Sequence, residues 1–287
     1  MKHVVATIAV AACGNHDREA PRPPPPFDEV PVALPDGTSD LTLDGSNHLW
    51  AIAERDRVVA KIGDFVTPHP TVERVPMRGV PDGVDTEALA WLGDNHFAIG
   101  TEGQDTPTAS VLFADLGPDA LVVTRERVLA PSEVGVALTN NHGAEGICGT
   151  GGELIVAIES VGKRSDGTRW APLVRVHRDD TTSLVRLALT TPTGKISALA
   201  CVFRPDGSVD ILAIERHYEV SRVLQATLAP EATDVTPTVA LDLHAFIGEH
   251  TNLEGIVRLA DGRWILVNDN QGTRVEGPTE LFTMHPR

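Results

Sequence analysis

The stretch Asn252-Leu-Glu-Gly-Ile-Val-Arg-Leu-Ala-Asp-Gly-Arg-Trp-Ile-Leu-Val-Asn-Asp-Asn-Gln271 decides the fold of this chain. Two short apolar runs flank Asp261-Gly262, and Asp-Gly between apolar runs is the strongest short-range signal for a β-hairpin. Glu254 stands at the start of the first run and Asp269 at the end of the second. The stretch therefore predicts one hairpin with a carboxylate near the start of one strand and another at the end of the next.

Four further copies of this hairpin pattern precede it in the chain. They open at Ser39, Glu87, Glu145 and Ser197, and they end at Glu54, Glu102, Glu159 and Glu215. Successive openings are 48, 58, 52 and 57 residues apart. A unit of about fifty residues, with an apolar hairpin followed by two more variable strands, is typical of a propeller blade. The five copies predict an all-β fold, a five-bladed β-propeller of four-stranded antiparallel blades.

The residues that open the five hairpins should form one circle, because the innermost strands of a propeller line a common channel. These residues are Ser39, Glu87, Glu145, Ser197 and Glu254. Converging carboxylates raise one another's pKa unless a cation lies among them. Oxygen donors suit hard cations, and calcium accepts them in more flexible geometry than magnesium does. We therefore expect a calcium ion in the channel; in the alternative, the glutamates pair with backbone amides at its entrance.

The residues that close the hairpins should form a second circle at one mouth of the channel. Its members are Glu54, Glu102, Glu159, Glu215 and Asp269, and they are followed by Arg55, Lys163, Arg216, His217 and Asn270. Acids and bases that alternate around a metal-bearing mouth make a phosphate pocket or, equally, an ordinary salt-bridged rim. In a phosphate pocket, Glu54 or Glu102 would act as general base and Arg55 and Arg216 would clamp the phosphate. The expected substrate-binding residues are Glu159, Lys163, Glu215, His217, Asp269 and Asn270.

The start of the chain resembles an export signal. A charged start and a short apolar segment lead to Val10-Ala11-Ala12-Cys13, which resembles a bacterial lipobox. We expect a signal peptide over residues 1–12, a lipidated Cys13 with a Pro-rich linker over 13–30, and the propeller over 31–287. Lipidation would place the protein in the cell envelope, at the periplasmic face or the outer membrane. The alternative is an ordinary cytosolic N-terminus with one stray cysteine.

Charge and cysteine content narrow the function classes. The formal net charge is −16, which argues against nucleic acid as a partner because phosphate backbones bind basic faces. Cys148 and Cys201 are expected to be buried free thiols rather than a disulfide or a nucleophile. The sequence has no G-x-S-x-G elbow, P-loop or H-E-x-x-H motif. We expect a monomer with a small-molecule substrate, and contact with the membrane only through the lipid.

The motifs resemble those of a known family. The segments Ile196-Ser197-Ala-Leu-Ala, Leu212-Ala-Ile-Glu215-Arg216, Asn252-Leu-Glu254-Gly-Ile and Glu145-Gly-Ile are similar to the phytase-like propellers, described as "esterase-like activity of phytase". The order Ser, Glu, Glu, Ser, Glu also resembles that of the calcium-dependent apyrases, five-bladed propellers with one calcium in the central channel. That resemblance implies that the five residues of the first circle are calcium ligands and that Glu54-Arg55 lies beside the substrate. Gln104 and Glu215 stand where apyrases place basic residues, so nucleotidase activity does not follow.

Two functions remain open from the sequence. The first is a calcium-dependent hydrolase of phosphate esters or anhydrides that works outside the cytoplasm. The second is a non-catalytic propeller whose calcium is structural and whose mouth binds a ligand or a protein. A propeller fold supports either function, because function depends on the site that the fold carries.

Overall fold

The computed structural model describes five segments of the chain. These are residues 27–54, 56–217, 220–244, 252–269 and 279–285. Within them strands dominate, and the helix α1 (Pro131–Val134) is a single turn. No helix in these segments has the length and apolar character needed to cross a membrane. Cys13, Arg55 and Asn270 lie outside the described residues, as does the predicted signal peptide.

An eight-stranded sheet contains the first two hairpin units. Its strands are β2 (Thr38–Leu43), β3 (Leu49–Ala53), β4 (Val58–Gly63), β5 (Thr71–Arg78), β6 (Val84–Gly93), β7 (His96–Gly103), β8 (Ala109–Leu116) and β9 (Leu121–Val128). β2 to β5 pair antiparallel in chain order, and so do β6 to β9. The last strands, β5 and β9, join the two antiparallel runs by a short parallel pairing at Met77↔Leu121 and Arg78↔Val122.

Three further sheets hold the other units. Their strands are β10 (Ala144–Thr150), β11 (Glu153–Ile158), β12 (Gly162–Lys163), β13 (Arg169–Val176), β14 (Thr182–Ala188), β15 (Lys195–Phe203), β16 (Val209–His217), β17 (Val220–Leu228), β18 (Asp234–Val235), β19 (Thr238–Asp242), β20 (Leu253–Arg258), β21 (Trp264–Asn268), β22 (Leu281–Met284) and β1 (Phe27–Val30). The third antiparallel run is β10-β11-β13-β14, the fourth is β15-β16-β17-β19, and the fifth is β20-β21-β22-β1. Two short strands extend the third run, because β12 pairs with β13 and β18 lies parallel to β14.

The fold begins earlier than the sequence predicted. Residues 27–30, assigned to the linker, form β1, which pairs antiparallel with β22 from Phe27↔Met284 to Val30↔Leu281. The prediction was wrong here because four residues directly after a proline run carry too little pattern to identify a strand. The first strand of the described chain thus completes the last run.

The five runs pack in a closed order. Their first strands β2, β6, β10, β15 and β20 contact one another in that order, and β20 contacts β2. Five buried apolar clusters accompany these contacts, each formed by residues of two neighbouring runs. Trp50 of the first run, for example, meets Phe97 of the second edge-on at 5.2 Å between ring centroids. Burial of such apolar surface holds each run against the next.

A cavity of about 180 Å³ lies among the five first strands and is lined by residues of all of them. The strands approach closely around it. A Cβ added to Gly146 would lie 2.8 Å from the backbone nitrogen of Leu199, and one added to Gly255 would lie 3.0 Å from the Cα of Asp40. Glycine is therefore required at these two positions of the shared Glu-Gly-Ile motif.

Cys148 and Cys201 form a disulfide with a Cα–Cα distance of 5.8 Å. The sequence-based expectation of two free thiols is wrong. Cys148 lies on β10 and Cys201 on β15, the first strands of neighbouring runs, and both line the central cavity. Because the two cysteines are 53 residues apart in the chain, no short sequence pattern indicates that they are close in the structure.

Candidate metal and substrate site

The five residues predicted to form the first circle share one backbone feature. In each hairpin the pairing register shifts at a β-bulge, and the bulged residues are Ser39, Glu87, Glu145, Ser197 and Glu254. A bulge leaves one residue outside the ladder and re-aims its side chain. All five are buried, with exposed fractions between 1% and 7%. The same β-bulge in all five hairpins therefore turns the side chain of one oxygen-bearing residue in each first strand out of the regular ladder.

The two serines tie neighbouring runs together. The Ser39 hydroxyl donates to the carbonyl oxygen of Thr86 at 3.0 Å, and the Ser197 hydroxyl donates to that of Leu253 at 2.8 Å. Each acceptor directly precedes the bulged glutamate of the next run. A hydroxyl that donates one hydrogen bond still has oxygen lone pairs to offer a cation.

A first carboxylate triad lies where the first and second runs meet. Glu54, Asp85 and Glu87 each place a carboxylate oxygen within 4.8 Å of the other two. Burial raises the pKa of Glu87 well above its ordinary value, and the negative charges of Glu145 and Glu54 raise it further. Its Oε1 is buried without a hydrogen-bond partner among the described residues. This oxygen is a candidate cation ligand, because a buried acceptor without a donor is costly.

A second triad lies where the second and third runs meet. Glu102, Glu145 and Glu159 also place one oxygen each within 4.8 Å of the others. Burial raises the pKa of Glu102 to about 8, with a further contribution from the charge of Glu145. The backbone N–H of Gly143 donates to Glu102 Oε2 at 3.3 Å and partly offsets that rise. The triad concentrates negative charge in a buried place.

Two cations from the fourth run reach into this acidic region. The Lys195 ammonium pairs with Glu159 Oε1, while the other oxygen of Glu159 lies 3.5 Å from His142 Nε2. Arg216 pairs with Glu254 through both Nε, at 3.1 Å, and a terminal nitrogen.

Glu254 combines burial with a cationic partner. Burial raises its pKa to about 8, while the guanidinium of Arg216 lowers it and the charges of Glu145 and Asp269 raise it. Asn252 Nδ2 also donates to Glu254 Oε1 at 2.6 Å. This member of the first circle therefore already has a cationic partner and a hydrogen-bond donor within the protein.

The two predicted circles interlock at the run boundaries. Residues at the end of a second strand meet the first strand of the next run: Glu54 meets Glu87, Glu102 meets Glu145, and Arg216 meets Glu254. The sequence reasoning missed a third set, the residues two positions before each bulge, among them Asp85 and Lys195. A scan of the hairpin openings at that offset would have found a charged or polar side chain in three of the five copies: Asp85, Lys195 and Asn252.

Asp40 is a further carboxyl that the sequence reasoning missed. Its side chain is wholly buried; Oδ2 accepts the backbone N–H of Leu89 at 2.8 Å, and Oδ1 has no partner among the described residues. Burial raises its pKa well above the ordinary value, although the hydrogen bond from Leu89 opposes the shift, and the charges of Glu254 and Glu145 add to it. The corresponding positions in the other runs are Ala88, Gly146, Ala198 and Gly255.

Glu215 was predicted to bind substrate, but its carboxylate accepts hydrogen bonds from a loop of the protein. It is fully buried, and its carboxylate accepts the backbone N–H groups of Thr190 and Thr191, both at 3.0 Å, and both threonine hydroxyls at 2.5 and 2.6 Å. A carboxylate so occupied holds the loop between the third and fourth runs. The geometry therefore favours a structural role for this residue.

Of the remaining predicted substrate-binding residues, Asp269 lies near Glu254 of the first circle. Lys163 is exposed on β12, and His217 ends β16. Asp269 follows β21, donates its backbone N–H to the Asn252 carbonyl at 2.7 Å, and contributes to the field at Glu254. Their substrate-binding roles remain predictions.

Comparison with known structures gives the fold class. The chain is an all-β protein with propeller-like structural neighbours. The aldose sugar dehydrogenase of Streptomyces coelicolor, in its PQQ-bound form, matches with a TM-score of 0.51 and 11% identity over 91% of this chain and 99% of that one. An exo-β-1,3-galactanase of Phanerochaete chrysosporium with galactose matches with a TM-score of 0.50 and 8% identity over 90% of this chain and 64% of that one. At these identities the likeness shows the fold alone.

The sequence itself identifies the family. The model of the phytase-like family, "esterase-like activity of phytase", matches residues 35–272, and the chain belongs to that family. The matched span contains both carboxylate triads, the disulfide and the two cations of the fourth run. No curated protein sequence matches the chain.

Proposed function

We infer that the five antiparallel runs are the blades of a five-bladed β-propeller with four-stranded blades. The closed order of contacts from β2 to β20 and back supports this arrangement. So do the five apolar clusters, one at each boundary between neighbouring runs. On this view, the cavity among the first strands is the central channel, and the carboxylate triads lie around one end of it.

We propose that the protein is a calcium-dependent hydrolase of phosphate esters or anhydrides that works outside the cytoplasm. The observation that carries the proposal is the pair of largely buried carboxylate triads, with Lys195 paired to the second triad and Arg216 paired to Glu254 of the first circle. The charge of Glu145, in the second triad, raises the energy of the charged form of Glu87 in the first, which a bound cation would relieve. The family description, which joins phytase with an esterase-like activity, agrees with an ester substrate.

The residues present fit a calcium ion. All the candidate ligands offer oxygen, the donor that calcium prefers at about 2.3–2.6 Å. Two oxygens on opposite sides of one such ion are about 5 Å apart, so triads within 4.8 Å are compact enough to share an ion. On the proposed arrangement the ion would be held by Ser39, Glu87, Glu145, Ser197 and Glu254; of these, Glu87 and Glu145 each belong to a compact triad, which supplies Asp85 and Glu102 as neighbouring carboxylates.

The chain's own residues would supply the acid–base chemistry. When bound, calcium polarises phosphoryl oxygens and lowers the pKa of coordinated water. Glu102 is a candidate general base because its pKa of about 8 lies near neutral pH, where its ionised fraction can accept a proton, and it lies beside Glu145 and Glu159. Arg216 would orient the substrate from its position on Glu254, and the predicted role of Arg55 in the same clamp stands as a proposal.

A specific observation favours the second candidate, a non-catalytic propeller with structural calcium. Arg216 already pairs with Glu254, and the hydroxyls of Ser39 and Ser197 already donate to backbone carbonyls. A site whose residues already bind one another can act as a purely structural contact between blades, without catalysis. In that case the mouth of the channel would bind a ligand or a protein without turnover.

Export with a lipid anchor at Cys13 is proposed on two grounds. Val10-Ala11-Ala12-Cys13 resembles a lipobox. The disulfide between Cys148 and Cys201 is typical of oxidising compartments outside the cytoplasm. Detection of a diacylglyceryl group on Cys13 by mass spectrometry of the membrane fraction would test this, and a free, unprocessed N-terminus there would contradict it.

The two candidate functions are separated by assays on the full chain with calcium and with chelator. Phosphate release from nucleotides, phytate and a chromogenic phosphate ester would be measured for wild type, Glu102→Gln and the control Glu126→Gln. Glu126 is an exposed carboxylate on β9, so its variant makes the same chemical change away from the site. Turnover that requires calcium and is lost only in Glu102→Gln supports the hydrolase. Absence of turnover with a calcium-dependent rise in melting temperature supports the binding protein.

A further inference from the structure

Lys195 and Arg216 are direct partners across the β15–β16 ladder. Both side chains are largely buried, with exposed fractions of 24% and 16%. Like charges directly opposite each other on a sheet are destabilising. Placing these two cations side by side costs stability, and an anion bound between them would offset that cost.

Each cation is held by a carboxylate of a different neighbouring run. Lys195 pairs with Glu159 of the third run, and Arg216 pairs with Glu254 of the fifth. The two carboxylates therefore fix the cations from the two runs that flank the fourth. The ion pair with Glu159 uses one of the three N–H donors of the lysine ammonium, so donors remain for a ligand.

The arrangement also joins the cations to the metal-binding side chains. Glu159 belongs to the second triad, and Glu254 is one of the bulged ring residues. A ligand that bridged Lys195 and Arg216 would therefore lie beside the proposed calcium ligands. Arg216 uses Nε and one terminal nitrogen on Glu254, so its other terminal nitrogen and the Lys195 ammonium are the donors that would face a tetrahedral oxyanion.

We infer that Lys195 and Arg216 together form the subsite that binds the phosphoryl group, with Lys195 as a substrate-positioning residue. This inference rests on the proposed function, because it names the part of that site which recognises the substrate. It differs from the sequence-based expectation, in which Arg55 and Arg216 form the clamp and Lys195 has no role.

The test uses inorganic phosphate as the probe and isothermal titration calorimetry on the full chain in the presence of calcium. Lys195→Met should weaken phosphate binding on the order of 10- to 100-fold, the effect of losing a hydrogen bond to a charged group. The control Lys61→Met removes the same charge from β4, where Lys61 lies over the Trp50 ring, and should bind phosphate as wild type does. Lys195→Arg keeps the charge and should recover most of the affinity.

A purely structural role is distinguished by calcium binding. Lys195→Met leaves Glu159 without its cation, so calcium affinity should stay the same or rise while phosphate affinity falls. Equal phosphate affinity in wild type and Lys195→Met overturns the inference, as does the absence of phosphate binding by wild type at millimolar concentrations. A parallel loss of calcium and phosphate binding also overturns it.

The same variants separate this inference from the proposed function. Phosphate binding that depends on Lys195 in a protein without turnover supports the subsite and removes the hydrolase. Turnover that persists in Lys195→Met with unchanged KM supports the hydrolase and removes the subsite. If both hold, Lys195→Met should raise KM by a factor similar to its loss of phosphate affinity, and Lys195→Arg should restore it.

Discussion

The disulfide between the first strands of the third and fourth runs should carry a large share of the stability. Cross-linking residues 53 positions apart removes loop-closure entropy from the unfolded chain, which corresponds to about 4 kcal/mol. Folded proteins are stable by only about 5–15 kcal/mol in total. We therefore expect the double variant Cys148→Ala/Cys201→Ala to lose a substantial part of its free energy of unfolding.

Thermal unfolding followed by circular dichroism would measure this effect. About 4 kcal/mol corresponds to a fall of about 10 °C in melting temperature for a domain of this size. Reduction of the wild type should cause a similar fall, because reduction also opens the cross-link. The double variant serves as the control, since it has no disulfide and should not respond to reductant.

A fall of less than about 2 °C in both the reduced wild type and the double variant would refute the reasoning. It would mean either that the thiols are free, as the sequence suggested, or that the unfolded chain is already compact in this region. Free thiols would be distinguished by thiol labelling of the unfolded, unreduced protein. A fall in the double variant alone would point to lost packing at Cys148 rather than to the cross-link.

Three further predictions concern the acidic site. The folded-state pKa values of Glu102 and Glu254 are raised to about 8 from an ordinary value near 4.5, so the native state binds more protons between these limits. The free energy of unfolding of the calcium-free protein, measured by chemical denaturation, should therefore fall as pH rises from about 5 to about 8. Bound calcium should make this free energy less dependent on pH. A calcium-free protein whose free energy of unfolding does not change over this range would contradict the prediction. Asp40→Asn removes a buried carboxyl whose pKa is raised, and ionisation of that carboxyl costs the wild type stability as pH increases. The melting temperature of the variant should therefore rise relative to that of the wild type as pH increases. A difference in melting temperature that does not depend on pH would argue against this reasoning. Glu215→Ala should lose about 1–3 kcal/mol in urea denaturation because the part-buried amides of Thr190 and Thr191 lose their acceptor. Calcium affinity by calorimetry should not change. An unaltered urea midpoint would show that water replaces the carboxylate.

Much of the fold could be predicted from local patterns. Each hairpin is encoded by apolar residues that flank a tight turn, as at Asp261-Gly262, and these signals act over fewer than about twenty residues. The repetition of the pattern also identified the five bulged residues in register, from Ser39 to Glu254. Repetition made these positions visible because a single Glu-Gly-Ile is uninformative, whereas the same offset in five copies indicates a shared environment.

The errors arose where residues meet across run boundaries. The disulfide joins two cysteines 53 residues apart, and nothing near either of them signals the other. Asp85 and Lys195 join the acidic site only because the end of one run packs against the start of the next. Glu215 fits the pattern of its circle, yet the adjacent Thr190-Thr191 turn takes up its oxygens.

The sequence by itself determined the repeated hairpins, the family and the residue types available for binding, because these depend on propensity, periodicity and chemical identity close along the chain. Only the tertiary structure decided which charges become partners. Packing of the runs places Lys195 on Glu159 and Arg216 on Glu254, while one buried oxygen of Glu87 has no hydrogen-bond partner within the described segments. Distances between residues from different runs control electrostatic energy and the assembly of a binding site, and those distances exist only once the runs have packed.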